Sequence, residues 1–597
     1  MKIQNLIPIA AAALILASVM MPSGCANTTT PPSGGPKDTI PPYITAISPM
    51  PGTTGVPTHN TRISFTFNEY VKVKEQSNIY LSPPLEKAPK YKIKGKSVVV
   101  YFENDLQPNT TYTLDITGAI VDNNEGNPFP GYTLVFSTGS QIDSFMVTGT
   151  VRDCNTLQPV KGATVMLYRS DADSAVFNAR PDASAKTDDW GFFLIRNISD
   201  TLYRVYAVQD ANNDNKYQME SERIAFLDSA FRPTTVYRDR LPEVLKYDMK
   251  DTARVMARRS ELELHLFREK PSRQFIVKKE RVGDRTAYIT FMAPNAQINS
   301  MRIMGLPKEK LITQFNPQRD SLEIWVNDQR RMPDTLKLAI NYMKTDTAGL
   351  LRATDEVIRL ARDKKAKAAA AKSSRRDLKH DDTTCVFTGI AESETIEQYG
   401  FTLEFKYPLI ESAFDSLQLR CVNPRQKESY GTFTVTRDTS NLRRYTVMPN
   451  DKLLPGWEYF LKVPHRRFRD INGFYNDSTV LKVSLPSDEK LSTMHLHLTG
   501  VTKRYIIDLL NEKRDKTIRS FVVDADGTVT FPYIRTGKYS VRITEDANGN
   551  GMVDTGSLLE HRQPEKVKFF MIGGNYQITI PERSELDQNI NLKELFQ

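Results

Sequence analysis

Asp210, Asn212 and Asp214 alternate along a loop that follows an aromatic and β-branched run, and Asp546, Asn548, Asn550 and Asp554 repeat the pattern near the C-terminus. Oxygen-bearing side chains at every second residue can converge on one hard cation such as Ca2+, with Lys216 or Met552 adding a backbone carbonyl. Neither loop has a glutamate at the twelfth position, where Ser221 and Ser557 stand, although Glu220 and Glu222 flank the first of these. The competing reading needs no metal, because Asp and Asn close tight turns by accepting their own backbone N–H groups. Both readings stay open, and Gly551, at the sharp-turn position, tilts calcium towards the second loop.

Other chemistry-bearing residues are sparse. His495 and His497 fall on one face of an alternating strand, as two zinc ligands could, but no third ligand stands at a fixed offset, so an exposed sheet face is the expectation. Cys385 and Cys421 could bridge within one domain of an exported protein; the alternative is that they and Cys154 are small buried thiols. No CxxC pair and no Cys/His zinc spacing occurs. Gly95-Lys96-Ser97 resembles the end of a phosphate loop without its upstream glycine and sits in a hairpin. The patterns GxSxG, HExxH and GxGxxG are missing, and Glu404 and Asp415 cannot be placed across one cleft from sequence. No catalytic residue is expected, and no cofactor is required beyond the calcium that the two loops would accept.

The N-terminal residues speak to compartment. Lys2, the apolar run Leu6 to Met21 and the small residues Ser23-Gly24 before Cys25 form a secretory signal. They resemble a bacterial lipoprotein signal, with Pro22 where the common pattern has Leu. That resemblance implies a signal peptide over 1–24 and a lipid on Cys25 that anchors the chain to a membrane. Residues 25–38, rich in Thr, Pro, Ser and Gly, read as a flexible tether. The chain has 597 residues and a net charge of +9. Much of the excess lies between Arg359 and Lys379, and an exported protein with interspersed charge is not a nucleic-acid binder. No second apolar stretch is long enough to cross a bilayer as a helix.

Short alternating runs set the fold class. Ile63-Ser64-Phe65-Thr66-Phe67, Val98 to Phe102 and Tyr112-Thr113-Leu114-Asp115-Ile116, separated by Pro, Gly and Asn clusters, predict strands of a sandwich. Pro41-Pro42, Pro49, Gly52, Phe65 and Phe67 before Glu69, Leu106 to Tyr112, Asp122 with Gly126-Asn127, and Phe136 to Gly139 resemble the bacterial Ig-like domain over 39–140. That family is mostly structural, so the likeness implies a fold rather than a reaction. Over 141–245, Gly149 to Asp153, Pro159 to Leu167, Gly191-Phe192-Phe193 and Tyr203 to Val208 resemble the carboxypeptidase regulatory-like domain, a transthyretin-like β-sandwich that performs no catalysis.

Internal repeats extend the organisation. Residues Asp188 to Asp214 align without a gap to Asp524 to Asn550, pairing Gly191 with Gly527 and Tyr203 with Tyr539, which predicts a second transthyretin-like sandwich over 490–597. Leu106, Pro108, Tyr112 and Leu114 correspond to Leu453, Pro455, Tyr459 and Leu461, which predicts a further Ig-like domain over 384–487. Alternating runs between Tyr288 and Tyr342 predict one more Ig-like sandwich over 255–350. Asp355 to Lys372, rich in Ala, Lys, Arg and Leu without Gly or Pro, predicts a short helix within a basic linker over 351–383.

The expected whole is all-β: tandem Ig-like and transthyretin-like sandwiches joined by one short helical basic linker. Domain order resembles envelope lipoproteins of the Bacteroidetes type. That resemblance implies a non-enzymatic outer-membrane-anchored protein, working as a multidomain binding or scaffold protein for an envelope protein or a glycan and as a subunit of an outer-membrane complex. The uncharged stretch Ala26 to Pro36 favours the periplasmic face over the cell surface. The alternative is a glycan-binding or glycan-processing protein with an unfamiliar site in 255–487.

Overall fold

The computed structural model describes residues 38–236, 261–362 and 384–597; the signal, Cys25 and nearly all of the tether lie outside them. They form strands almost throughout, gathered around five separate cores.

In the first unit, Ile44–Ser48, Arg62–Phe67, Ser97–Tyr101 and Lys90–Lys94 form one sheet, and Tyr80–Ser82, Thr111–Asp115 and Thr133–Ser137 a second. Period-2 alternation sends Ile63, Phe65 and Phe67 inward against Tyr112, Leu114 and Phe136. The Tyr112 hydroxyl accepts the Gln107 backbone N–H at 2.8 Å, pinning the corner where the chain changes sheets. The fourth unit makes the same bond at the aligned position, Leu454 N–H to Tyr459 hydroxyl at 2.6 Å.

The second and fifth units share a different plan. Phe145–Asp153 lies between antiparallel Phe192–Ile198 and parallel Leu262–Leu266, while Leu491–Thr499 lies between antiparallel Gly527–Arg535 and parallel Glu585–Asn591. The first of these parallel strands corrects the expected boundaries. Leu264 and Leu266 fill the second core, so the second sandwich reaches past 245 and the third does not start at 255. A parallel neighbour needs a long crossover, which leaves no hairpin signal in the sequence. Gly149 makes the approach feasible: a Cβ there would stand 2.6 Å from the Leu262 carbonyl oxygen.

The third unit packs Ile276–Arg281, Thr286–Phe291, Ser321–Val326 and Leu311–Phe315 against Ile298–Ile303, Thr335–Thr345 and Leu351–Ala361. The expected helix is wrong where it can be seen. Leu351–Ala361 is a strand, antiparallel to Thr335–Thr345 along its whole length. Ile358 and Leu360 enter the third core while Val357 and Arg359 face outward, so burial on one sheet face overrides the helix-forming composition. The rest of that prediction, 363–383, falls outside the described residues. No helix among the described residues is long and apolar enough to cross a membrane.

Candidate functional site

Each Asp/Asn loop follows the last residues of a core strand, Arg204–Val208 or Gly537–Asp546, and the two have the same internal geometry. Asp210 accepts from Asp214 N–H at 3.2 Å and Asn215 N–H at 2.9 Å, and Asn212 Oδ1 accepts from Asp214 N–H at 3.0 Å. Asp546 accepts from Asn550 N–H at 3.0 Å and Gly551 N–H at 2.8 Å, and Asn548 Oδ1 accepts from Asn550 N–H at 3.1 Å. A glutamate closes each loop from further along the chain. Glu222 takes Ala211 N–H and Gln218 N–H, and Glu565 takes Ala547 N–H and Asp554 N–H. Glu565 carries no signal in a single sequence, because its spacing differs from that of Glu222.

Electrostatics separate the twins. Burial raises Asp210, with Asp214 adding to the shift, and burial raises Glu222, with Asp210 and Asp214 adding to it. In the second loop Lys270 reaches Asp554 at 3.1 Å and Arg504 reaches Asp546 at 3.5 Å. Burial pushes Asp554 up, but donors from Asn548, Lys270 and Asn550 outweigh it and hold the carboxyl below its ordinary value. Among the described residues no three His, Cys, Asp or Glu side chains are drawn together as a ready metal cage.

The second loop continues into a contact that sequence reasoning missed. Leu558 is buried in a cluster with Met166, Tyr206 and Phe267 of the second sandwich. Around it Thr555 donates to the Arg268 carbonyl at 2.7 Å, Gln563 to the Phe226 carbonyl at 3.0 Å, and His561 meets Asp173 at 3.1 Å. On the other flank Arg514 donates to the Thr156 carbonyl at 2.8 Å, and Leu157 packs on Leu510, Val567 and Phe569.

The remaining units are also joined. The third meets the fourth through Arg443 and Glu323 at 3.1 Å, and the fourth meets the fifth through Arg519 on the Glu394 carbonyl and Tyr533 on the Leu453 carbonyl at 2.8 Å. The second to fifth sandwiches therefore close into a ring, with the first attached through Tyr80, whose hydroxyl bonds Ser184 at 2.8 Å and Asn215 at 2.7 Å.

Other candidates are absorbed into structure. Cys154, Cys385 and Cys421 are buried free thiols, so the expected Cys385–Cys421 bridge is not made. Cys421 lies within Gln418–Val422 of one sheet, while Cys385 precedes Phe387–Ile390 of the facing sheet. Burial pushes the Cys154 and Cys385 thiols up to about 12 and raises Cys421 as well. Glu404 is spent on Arg444 at 3.0 Å and Asn441 at 3.1 Å, with no part in a carboxylate pair across a cleft. Gly95 is the turn of a hairpin. A depression of about 210 Å³ lies where the fourth and fifth sandwiches meet, edged by Glu394, Arg519, Tyr533 and Arg535.

The architecture defines a class: a multidomain protein of tandem β-sandwiches, nearly all β, that opens with an Ig-like unit. Residues 38–138 match the family model described as the bacterial Ig-like domain, so that first unit is a bacterial Ig-like domain. No curated protein sequence matches the chain. Among solved structures, the S-layer protein rSbsC aligns at 10% identity over 91% of this chain and 59% of that chain, with a TM-score of 0.13. BcpA, the major pilin subunit of Bacillus cereus, aligns at 8–10% identity's middle, 9%, over 76% of this chain and 99% of that chain, TM-score 0.14. Superpositions this poor carry nothing about function to this chain.

Proposed function

We propose that this protein is a non-enzymatic envelope lipoprotein of the Bacteroidetes type. In this reading it is exported by its N-terminal signal, moored to the outer membrane through lipid on Cys25, and holds an envelope protein by the surfaces of its sandwiches as a subunit of an outer-membrane complex. The periplasmic face is the favoured location. The observation that carries the reading is the ring. Four sandwiches locked to one another make a rigid platform, and side chains at the joints are spent on holding it rather than on a reactive cleft.

Exposed aromatics favour a protein over a glycan. Trp190 at 79%, Tyr430 at 71% and Tyr70 at 62% exposure sit on three different sandwiches, whereas a sugar platform would gather them on one sheet. The test is crosslinking in intact envelopes followed by purification, alongside a Cys25→Ala variant. Co-purification of an outer-membrane barrel, with loss of the variant from the membrane fraction, is the expected result. Enrichment of polysaccharide alone, or an unchanged membrane fraction for the variant, would overturn the reading.

A further inference from the structure

The outward face of the last sandwich carries an arrangement that neither its fold nor the proposed scaffold role uses. In Leu491–Thr499, His495 and His497 alternate with buried Met494, Leu496 and Leu498, so both imidazoles lie on the outer face. Each ring is held by the threonine directly opposite it in register. His495 Nδ1 bonds Thr530 Oγ1 at 3.0 Å, and His497 Nδ1 bonds Thr528 Oγ1 at 2.9 Å. Anchoring the same nitrogen of both rings leaves Nε2 as the outward atom of each, which is how a second-shell hydrogen bond sets an imidazole for a metal.

A carboxylate completes the group from the other side. Asp587, in the parallel strand Glu585–Asn591, is the register neighbour of His495, and its Oδ1 lies 3.1 Å from His497 Nε2. Two ligand atoms on one tetrahedral zinc stand about 3.3 Å apart, given bonds of about 2.0–2.1 Å. The outer positions of this face from Thr493 to Thr499, at Thr528 and Thr530, and from Glu585 to Asn591 include no Lys or Arg. This is in a chain that has 80 of them, so nothing on the face repels a cation.

We propose that this face binds a divalent transition-metal ion through His495 Nε2, His497 Nε2 and the Asp587 carboxylate, with water in the remaining positions. Loading exchanges the His497–Asp587 hydrogen bond for two metal bonds and turns His495 towards the same point. The three side chains are not already drawn together as a cage, so the site is open and exchangeable, not a buried structural centre. Imidazole with one carboxylate selects zinc, nickel or copper over calcium or magnesium.

The test is isothermal titration of the full chain, purified without a polyhistidine tag, with zinc chloride and nickel chloride. One site of micromolar affinity is expected, weakened at least tenfold by His495→Asn or His497→Asn and several-fold by Asp587→Asn or Thr528→Val. A flat wild-type trace at millimolar zinc would overturn the proposal and leave cross-strand pairing as the whole role of the two histidines, as would unchanged affinity in the double histidine variant. A measurement on unaltered protein stands beside it: zinc should protect His495 and His497 from diethyl pyrocarbonate more than the other histidines, by mass spectrometry. Equal labelling with and without zinc counts against the site.

Discussion

Glu269 accepts a hydrogen bond from the backbone N–H of Leu558 at 3.0 Å, across 289 residues of chain. The same Oε1 takes the Ser557 hydroxyl at 2.9 Å, and Oε2 takes the Tyr217 hydroxyl at 3.3 Å. A buried carboxylate with its acceptors used, beside an apolar plug, is the arrangement that makes a contact hard to open.

Leu558→Ala removes the plug and leaves a cavity, so the contact between the second and fifth sandwiches should weaken by about 2–5 kcal/mol. Glu269→Ala strands the Leu558 N–H and should cost about 1–3 kcal/mol. Denaturant unfolding reads the loss, and small-angle scattering reads the opening of the ring as a larger radius of gyration. If both variants kept the wild-type midpoint and radius, the second and fifth sandwiches would not be held by this clasp.

Calcium should act through the first Asp/Asn loop. Asp210 and Glu222 are raised above their ordinary values, so their contribution to stability is complete at low pH and is lost as pH rises through the folded-state values. At neutral pH that loop holds mutually repelling carboxylates, which a divalent cation relieves, whereas Lys270 and Arg504 already serve the second loop. Millimolar calcium should therefore raise the melting temperature at about pH 7 more than at about pH 4. Asp210→Asn should abolish the rise and Asp546→Asn should leave it. No rise, or abolition by Asp546→Asn alone, would reduce the first loop to a turn.

The three described thiols should be inert in the folded protein. Burial holds Cys154 and Cys385 at about 12 and raises Cys421, so little thiolate exists at neutral pH and little surface is offered to a reagent. Ellman's reagent should label none of them natively and all three in guanidinium. Rapid native labelling of any one would contradict its burial.

How much of this was legible depended on whether a residue's role is local. Asp210 and Asp546, Tyr112 and Tyr459 stand out because a turn or a corner dictates them within a few positions of chain, and such residues recur when a unit is duplicated. Leu262–Leu266 and Glu585–Asn591 were invisible as neighbours of the strands they flank, because a parallel pair leaves no turn between its members. For the same reason Asp587 could not be matched to His497, 90 residues away. The misreading of Val357 and Ile358 as helix came from the Ala- and Lys-rich stretch that follows them. Their own β-branched alternation was the better guide, and core burial decided it.

The joint between the third and fourth sandwiches should answer to pH. Glu323 meets Arg443 at 3.1 Å, and the same guanidinium lies 5.7 Å from the ring of Trp325, which is fully buried. Burial raises Glu323, Arg443 pulls it back and Glu404 raises it again, leaving the carboxyl above its ordinary value of 4.5. Its contribution is thus complete below about that value and declines as pH rises through the folded-state one. Arg443→Ala removes the only opposing charge in that balance, so Glu323 should rise further and the variant should lose about 1–3 kcal/mol at neutral pH, with a smaller loss near pH 4 where Glu323 is protonated. Arg443→Lys restores charge without the planar fork and should recover part of the loss. Unfolding followed by tryptophan emission measures it, since Trp325 reports from inside the joint. An equal loss at both pH values would mean that packing against Trp325, and not the Glu323 charge, holds these two sandwiches together.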